Sequence, residues 1–349
     1  MRHKLLLFLL ILILLLTACV FPETKNSSLT EKQITVSENT AEFHFIDVGQ
    51  GDCILVQDAD VKILIDAGTT ESGSTICAYL ENLGIDYLDC FIGTHPHEDH
   101  LGGAAAILSE IQVGKVYLNG ETSNSYFFER LVDILIDKNI TPSIPEFYSP
   151  YEFGKFNVEF ISPTVDFEDT NNNSLFTMIS YGDIKALFTG DSERPVEAAL
   201  IYNKSKNLKA DILKVGHHGS RNGTSNEFLK AVNPSVAVIQ CGKDNSYGHP
   251  HKEAIDRLEN ANIEILRTDE VGSIILRTDG TNIFNASNEI IEVKENESQI
   301  EIIYIGNKKS KVYHSEVCPN LPKEQNQILF SSREDAEKAQ YSPCGNCMP

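Results

Sequence analysis

Thr94-His95-Pro96-His97-Glu98-Asp99-His100 gathers three imidazoles and two carboxylates within six residues and runs on into Leu101-Gly102-Gly103-Ala104. If buried, each of those side chains needs a partner, and a bound cation partners them all. His95 and His97, at alternate positions, project together from an extended turn. Asp99 and His100 project elsewhere as the chain enters a helix start with almost no side-chain bulk. Such a loop feeds two adjacent divalent cations, and its donors suit zinc or manganese. The plain alternative is a solvated histidine-rich loop.

Around this loop the chain alternates strand-length and helix-like runs. Phe43–Val48, Cys53–Gln57, Val61–Ile65 and Cys90–Gly93 read as strands, being β-branched or aromatic and separated by turn residues. Further strands are expected at 158–161, 176–181, 185–189, 212–215, 236–240, 264–267 and 273–277. Helices are expected at 76–83, 101–108, 127–137, 196–202, 227–231 and 253–260. Early hairpin-like strands followed by mixed alternation favour two packed sheets with helices outside, although an ordinary doubly wound sheet shares that composition.

Three later clusters share the character of the first. Thr189-Gly190-Asp191 ends a strand with a carboxylate able to bridge two ions; its plain reading is a helix cap. Val215-Gly216-His217-His218-Gly219-Ser220 ends another with paired imidazoles between glycines, where His217 alone reads as a core histidine. In Tyr247-Gly248-His249-Pro250-His251, His249 alone reads as a turn residue. Placed together at strand ends, they point to one site.

These clusters, with Phe45-Ile46-Asp47-Val48-Gly49-Gln50-Gly51-Asp52 and Leu64-Ile65-Asp66-Ala67-Gly68, make six ordered motifs. Residues 42 to about 285 thereby resemble the metallo-β-lactamase fold, specifically the soluble hydrolase domain of ComEC-type competence proteins. The resemblance implies an αββα sandwich in an α/β chain. It places His95 and His97 on one cation, Asp99 and His100 on the other, Asp191 between them, and His217 completing the second with His218 as its rival. His218 or His249 would donate to the developing oxyanion or leaving group. Asp66 would orient a histidine ligand, and Asp52 and Ser220 would lie beside the ligands or the substrate. Many superfamily members take another histidine between the loop and the bridging aspartate, but residues 101–216 contain none. Asn171-Asn172-Asn173-Ser174 resembles the asparagine-serine motif of the ComEC-type branch, from which Asn173 would offer an oxygen or contact substrate. ComEC proteins are polytopic channels, whereas this chain carries a single apolar run, so only the hydrolase portion is shared and no transmembrane channel of its own is expected.

That apolar run, Leu5–Leu16, follows Arg2 and Lys4 and leads into Thr17-Ala18-Cys19. It is short for a membrane span, which needs about 20 apolar residues, and describes a secretory signal. Leu16-Thr17-Ala18-Cys19 resembles a bacterial lipobox, so residues 1–18 are expected to be a lipoprotein signal peptide. Cys19 is then the lipid-bearing amino terminus at the outer face of the cytoplasmic membrane. Residues 19–41 read as a solvated tether, and the hydrolase domain as 42–290.

The carboxyl end offers His314-x3-Cys318 and, 25 residues on, Cys344-x2-Cys347. This set suits a closed tetrahedral zinc, the exported setting making a Cys318–Cys344 disulfide the alternative. Residues 303–349 resemble the zinc-binding module of Ada-type methyl-acceptor proteins. That family's methyl-accepting cysteine is His314 here, so repair chemistry is not expected. Cys53, Cys77, Cys90 and Cys241 read as small buried hydrophobes.

In 349 residues, 29 Lys and Arg stand against 50 Asp and Glu, a net charge of −21, which excludes a basic nucleic-acid-binding surface as the default. A cation is local enough to hold phosphate on such a protein. The leading expectation is metal-dependent hydrolysis of a phosphodiester by an activated water, the ComEC-type resemblance pointing to DNA as the diester. The alternatives are a small cell-envelope phosphodiesterase such as a phosphocholine esterase, a lactonase, or a non-catalytic surface DNA-binding lipoprotein.

Overall fold

The computed structural model describes residues 39–162, 167–202, 207–294, 303–316, 318 and 320–345. The expected signal, Cys19 and Cys347 lie outside them. The first strands are β1 (Ala41–Phe45), β2 (Ile54–Gln57), β3 (Lys62–Ile65), β4 (Tyr87–Gly93) and β5 (Gln112–Leu118). A second group follows as β6 (Pro150–Phe153), β7 (Phe156–Ile161), β8 (Phe176–Tyr181), β9 (Ile184–Phe188), β10 (Ile212–Lys214), β11 (Val236–Ile239) and β12 (Glu264–Arg267). The chain then returns to the first sheet as β13 (Ile274–Thr278), β14 (Ile283–Phe284) and β15 (Ile290–Ile291). Among the described residues one sheet runs β15-β14-β13-β1-β2-β3-β4-β5 and the other β12-β11-β10-β9-β8-β7-β6.

Alternation along the strands builds the layers, because successive side chains point to opposite faces. Phe43, Phe45, Ile54, Val56, Ile63, Ile65, Cys90 and Ile92 meet Val158, Phe160, Phe188, Ile212 and Val238 in the core between the sheets. The Phe188 ring lies 6.4 Å from Phe43 and 6.2 Å from Phe45. The intervening Leu55, Leu64 and Phe91 turn outward and are covered by α1 (Gly73–Asn82), α3 (Ala104–Glu110) and α4 (Tyr126–Asp137), with the single turn α2 (Glu98–Leu101) before α3. In α4 the buried side chains are Phe128, Leu131 and Leu135, a helical stripe. The other sheet's outer face, with Phe176, Leu187, Leu213 and Ala237, packs under α5 (Arg194–Tyr202), α6 (Asn226–Val232) and α7 (Lys252–Asn260). The order helix, sheet, sheet, helix is the αββα sandwich that the motifs imply.

Strands β3 to β5 are parallel, as are β9 to β12. Their carboxyl ends therefore share one rim, the place where open parallel sheets hold ligands. The approach there is close. At Gly51 (φ +144°) a Cβ would sit 2.4 Å from the Asp99 carbonyl, and Asp52 N donates to that same oxygen at 3.0 Å. Glycine is what lets the 47–52 loop lie on the histidine loop.

The carboxyl-terminal strands β16 (Tyr304–Asn307), β17 (Val312–Ser315), β18 (Gln327–Phe330) and β19 (Ser342–Pro343) form a separate sheet, ordered β18-β16-β17-β19. Its small core holds Tyr313, Cys318, Ala336, Tyr341 and Cys344. No helix among the described residues is long and apolar enough to cross a membrane.

One buried ionic cluster gives the sandwich an acid limit. Glu42 accepts from Arg277 Nε at 2.8 Å and Gln57 Nε2 at 3.0 Å, and lies 2.8 Å from His44 Nε2. Burial pushes its carboxyl up, but His44 and Arg277 outweigh that and lower it from 4.5 to about 2. A depressed folded value stabilises above the unfolded one and is lost as pH falls toward 2. Glu42→Gln is therefore expected to flatten the loss of stability between pH 5 and pH 2 by about 2 kcal/mol, read by urea unfolding across that range. Parallel curves for the two proteins would refute it.

Candidate metal centre

Each strand end at the shared rim delivers one piece. After β3, Asp66 is fully buried. Its Oδ1 accepts from Thr94 N and its Oδ2 from Thr94 Oγ1, both at 2.8 Å, and Oδ2 lies 2.8 Å from His100 Nδ1. The carboxylate thus fixes the ring that follows β4. His100 Nε2 then faces Asp191 Oδ1, beyond β9, at 3.2 Å. After β10, His218 Nε2 lies 3.3 Å from Asp99 Oδ2 and 3.5 Å from Asp191 Oδ1. Its Nδ1 sits 3.0 Å from the Gln240 carbonyl and 3.2 Å from Asp52 Oδ1. Asp99, His100, Asp191 and His218 each offer an atom, all within 4.8 Å of one another.

The motif order gives this last position to His217; the structure gives it to His218. Both residues have positive φ, 48° and 53°, a conformation that side chains other than glycine adopt only when the surroundings enforce it. Two left-handed residues in a row send neighbouring rings apart. His218 turns inward, while His217 stays 24% exposed, 2.9 Å from Glu193 Oε1 and 3.7 Å from Asp191 Oδ2. The same exchange takes His218 away from an open donor position, leaving His217 and His249 at the rim. Their rings are 5.5 Å apart.

His95 and His97 come together on the other side, with His95 Nε2 3.1 Å from His97 Nδ1. Among the described residues no third metal-type ligand groups with them, which matches the lack of histidine in 101–216. Asn173 does not turn its amide to the cluster, but lines the neighbouring cavity. Its amide is spent within the fold, Nδ2 donating to Glu121 Oε1 at 2.6 Å and Phe167 O at 2.8 Å while Oδ1 accepts from Phe167 N at 2.9 Å. The neighbouring Ser174 takes the position beside the cluster, its Oγ 3.2 Å from His95 Nδ1 and accepting from Asp191 N at 3.1 Å. Ser220 is also turned away, donating to Glu193 Oε1 at 3.3 Å.

Charge at the rim is strongly coupled. Burial pushes Asp191 up, but the imidazolium charges of His100 and His218 prevail and hold it well below the usual carboxylate range. Burial would likewise lower both histidines, yet Asp191, with Asp66 beside His100 and Asp52 beside His218, holds them well above 6.5. His95 goes the other way, pressed well below 6.5 by burial and by the charge of His100, so its ring is neutral. Burial, then the charges of His218, His217 and His251, lower His249 to about 4. At neutral pH His249 therefore donates only as a neutral imidazole.

The donor set fits a cation on independent grounds. His100 Nε2, His218 Nε2 and Asp191 Oδ1 are buried and make no hydrogen bond. The two nitrogens face Asp191 Oδ1 at 3.2 and 3.5 Å, and all three atoms converge on one point that a cation would satisfy. Residues 46–243 match the Metallo-beta-lactamase superfamily. The chain belongs to that superfamily. Residues 291–349 match the metal binding domain of Ada. The chain is 31% identical over 255 residues to "ComE operon protein 3" of Bacillus subtilis, an alignment covering 68% of this chain and 33% of that protein. It is 31% identical over 249 residues to "Competence protein ComA" of Neisseria gonorrhoeae, covering 68% and 32%. The chain thus spans about a third of the length of these relatives. The solved metallo-β-lactamase fold protein YhfI from Bacillus subtilis is 16% identical, covers 69% of this chain and all of its own, and superposes with a TM-score of 0.47.

As a metallo-β-lactamase superfamily member, the chain has the hydrolase fold that binds divalent metals, with Asp99, His100, Asp191 and His218 as its convergent set. Its Ada-like segment brings His314, Cys318 and Cys344 within 4.8 Å of one another, all buried, with His314 Nδ1 3.2 Å from Cys318 Sγ. Three of the four expected zinc ligands therefore meet; the fourth, Cys347, lies outside the described residues. Sequence reasoning missed Ser174, Glu193, Gln240 and Lys214. Ser174 was within reach, as the last residue of the asparagine-serine motif.

Proposed function

We propose that the protein is a phosphodiesterase of nuclease type, exported and lipid-anchored through Cys19, that works with two divalent cations, zinc or manganese, in the hydrolase site and one structural zinc in the carboxyl-terminal module. The observation that carries this reading is the convergence of orphaned His100, His218 and Asp191 atoms at the strand-end rim. Divalent cations, once bound by these residues, would supply an activated water and charge neutralisation for attack on a phosphodiester. Asp99, His100, Asp191 and His218 would hold one cation, and His95 and His97, with Asp191 between, the other.

The remaining residues prepare the site. Asp66 fixes His100, Asp52 and the Gln240 carbonyl fix His218, and Thr94 and Ser174 flank His95. His217 carries a raised pKa; burial works against its charge, but the bond to Glu193 and the charge of Asp191 more than offset that. Its ring lies at the rim, where an N–H would donate to a phosphate oxygen or leaving group, and the raised pKa favours the charged form of that donor. One relative's printed name ties it to competence and that of "Recombination protein 2" of Haemophilus influenzae, 29% identical over 255 residues, to recombination; both processes handle DNA. The net charge of −21 favours a second reading, a small envelope phosphodiester, because it repels a long polyanion.

The deciding experiment takes the full chain in detergent, loads it with manganese or zinc, and offers bis(p-nitrophenyl) phosphate and linear DNA. Cleavage of both supports the nuclease. Cleavage of the chromogenic diester alone supports the small-substrate reading, and cation-dependent DNA binding with no hydrolysis of either refutes catalysis. Palmitate labelling is expected in the unaltered chain and absent in Cys19→Ala; label persisting in the variant would overturn the anchor.

A further inference from the structure

A cavity of about 470 Å³ opens beside the cluster and shares Ser174 with it. Ser174, which lines the cavity, has its hydroxyl 3.2 Å from His95 Nδ1. The cavity lies within the size range of small-molecule sites, and its walls divide by chemistry. Ile144, Phe147 and Phe167 supply apolar surface, and Ile144 is 63% exposed. Asn119 and Glu121 supply polar groups on the same lining. Glu121 is positioned rather than loose. Its Oε1 accepts from Asn173 Nδ2 at 2.6 Å, its Oε2 lies 3.4 Å from Asn119 Nδ2, and its backbone N donates to Asn119 Oδ1 at 3.0 Å. Each carboxylate oxygen keeps a further lone pair.

A carboxylate repels phosphate, so the scissile group does not belong here. What suits apolar walls with a fixed acceptor is a planar ring presenting adjacent N–H donors. We propose that this cavity receives a guanine base next to the scissile phosphate and that Glu121 is the residue that selects it, an inference that rests on the phosphodiesterase reading. Guanine offers N1–H and N2–H side by side to the two carboxylate oxygens. Adenine and cytosine offer an amine beside a ring acceptor. Thymine offers one N–H between two carbonyls, which the carboxylate repels.

The test is equilibrium binding of 5′-dGMP and 5′-dTMP to the full chain in detergent, by calorimetry, with and without manganese. A well-placed bidentate pair discriminates at least about tenfold, so dGMP is expected to bind that much more tightly than dTMP. Glu121→Gln is expected to bring the ratio within about twofold, while Ile144→Ala weakens both nucleotides and keeps the ratio. Should Glu121→Gln not fold, Asn119→Ala, which removes the amide beside the carboxylate, is expected to lower the ratio instead. Equal affinities in the unaltered chain, or a dGMP preference that survives Glu121→Gln, overturn the assignment. Displacement of dGMP by a single-stranded oligomer holding one guanine, and not by its all-thymine counterpart, gives the base to a DNA strand; no displacement gives it to a free nucleotide. A clear dGMP preference in a protein that cleaves no diester overturns the phosphodiesterase reading and leaves the base pocket standing.

Discussion

Asp191→Asn is expected to lower cation-dependent hydrolysis of bis(p-nitrophenyl) phosphate by roughly 10³-fold or more, since a cation's charge stabilisation amounts to several kcal/mol and each 1.36 kcal/mol is a factor of ten. The carboxylate does two things that an amide cannot. Its Oδ1 is the point on which His100 Nε2 and His218 Nε2 converge, at 3.2 and 3.5 Å, and its negative charge would offset that of a cation held there. Asparagine keeps the shape and removes the charge, so cation content measured by elemental analysis should fall together with rate. Asp66→Asn makes the informative contrast. It acts through the His100 ring and through Thr94, which flanks His95, and such orienting partners are worth about 10–100-fold. If Asp191→Asn kept both metal and rate while Asp66→Asn lost them, the cation would have to lie on the Asp66 side of His100, and the site as drawn would be wrong.

How much of this was legible beforehand depended on whether the deciding interaction was local. Central strands announce themselves because both faces are apolar. In the central strand β8 (Phe176–Tyr181) the bounds read from sequence coincide with those in the fold, as they also do in the edge strand β12 (Glu264–Arg267). Among the strands that escape notice, β5 (Gln112–Leu118) and β6 (Pro150–Phe153) are outermost in their sheets, and β14 and β15 are only two residues long. The first half of β5 is Gln-Val-Gly-Lys, largely solvent-facing, and β6 opens on proline, as edge strands tolerate. The site follows the same logic. Chemistry placed at strand ends by a short motif was readable, as with Asp66, His100 and Asp191. The exchange of His217 for His218 was not, because it turns on two consecutive positive φ values that no residue type in the motif demands. Asn173 and Ser174 differ by one position along a 3₁₀ turn, and which of them faces the cluster depends on Glu121, 52 residues away. Lys214 was hidden more completely, since within β10 it reads as one polar letter in an apolar strand.

Lys214 carries the second large effect. Its side chain is fully buried, with Nζ 2.8 Å from Asp52 Oδ2 and donating to the Val215 carbonyl at 2.9 Å. Asp52 is buried as well, and burial alone would raise its carboxyl; the Lys214 and His218 charges reverse that and hold it below 3.8. Lys214→Met preserves length and shape but strands the carboxylate in the interior, where breaking a buried pair costs about 3–5 kcal/mol. The urea midpoint at pH 7 should fall accordingly. Because Lys214 helps depress the folded pKa of Asp52, its contribution is present above 3.8 and fades as Asp52 protonates. The penalty should therefore shrink between pH 7 and pH 3. Adding Asp52→Asn to Lys214→Met removes the stranded charge, so the double variant should be less destabilised than the two single losses summed, by about 1 kcal/mol or more. A Lys214→Met loss below about 1 kcal/mol, or strict additivity in the double variant, would mean that the pair does not hold the 47–52 loop in place. In that case the support that Asp52 gives His218 must come from the backbone alone, through the Gln240 carbonyl.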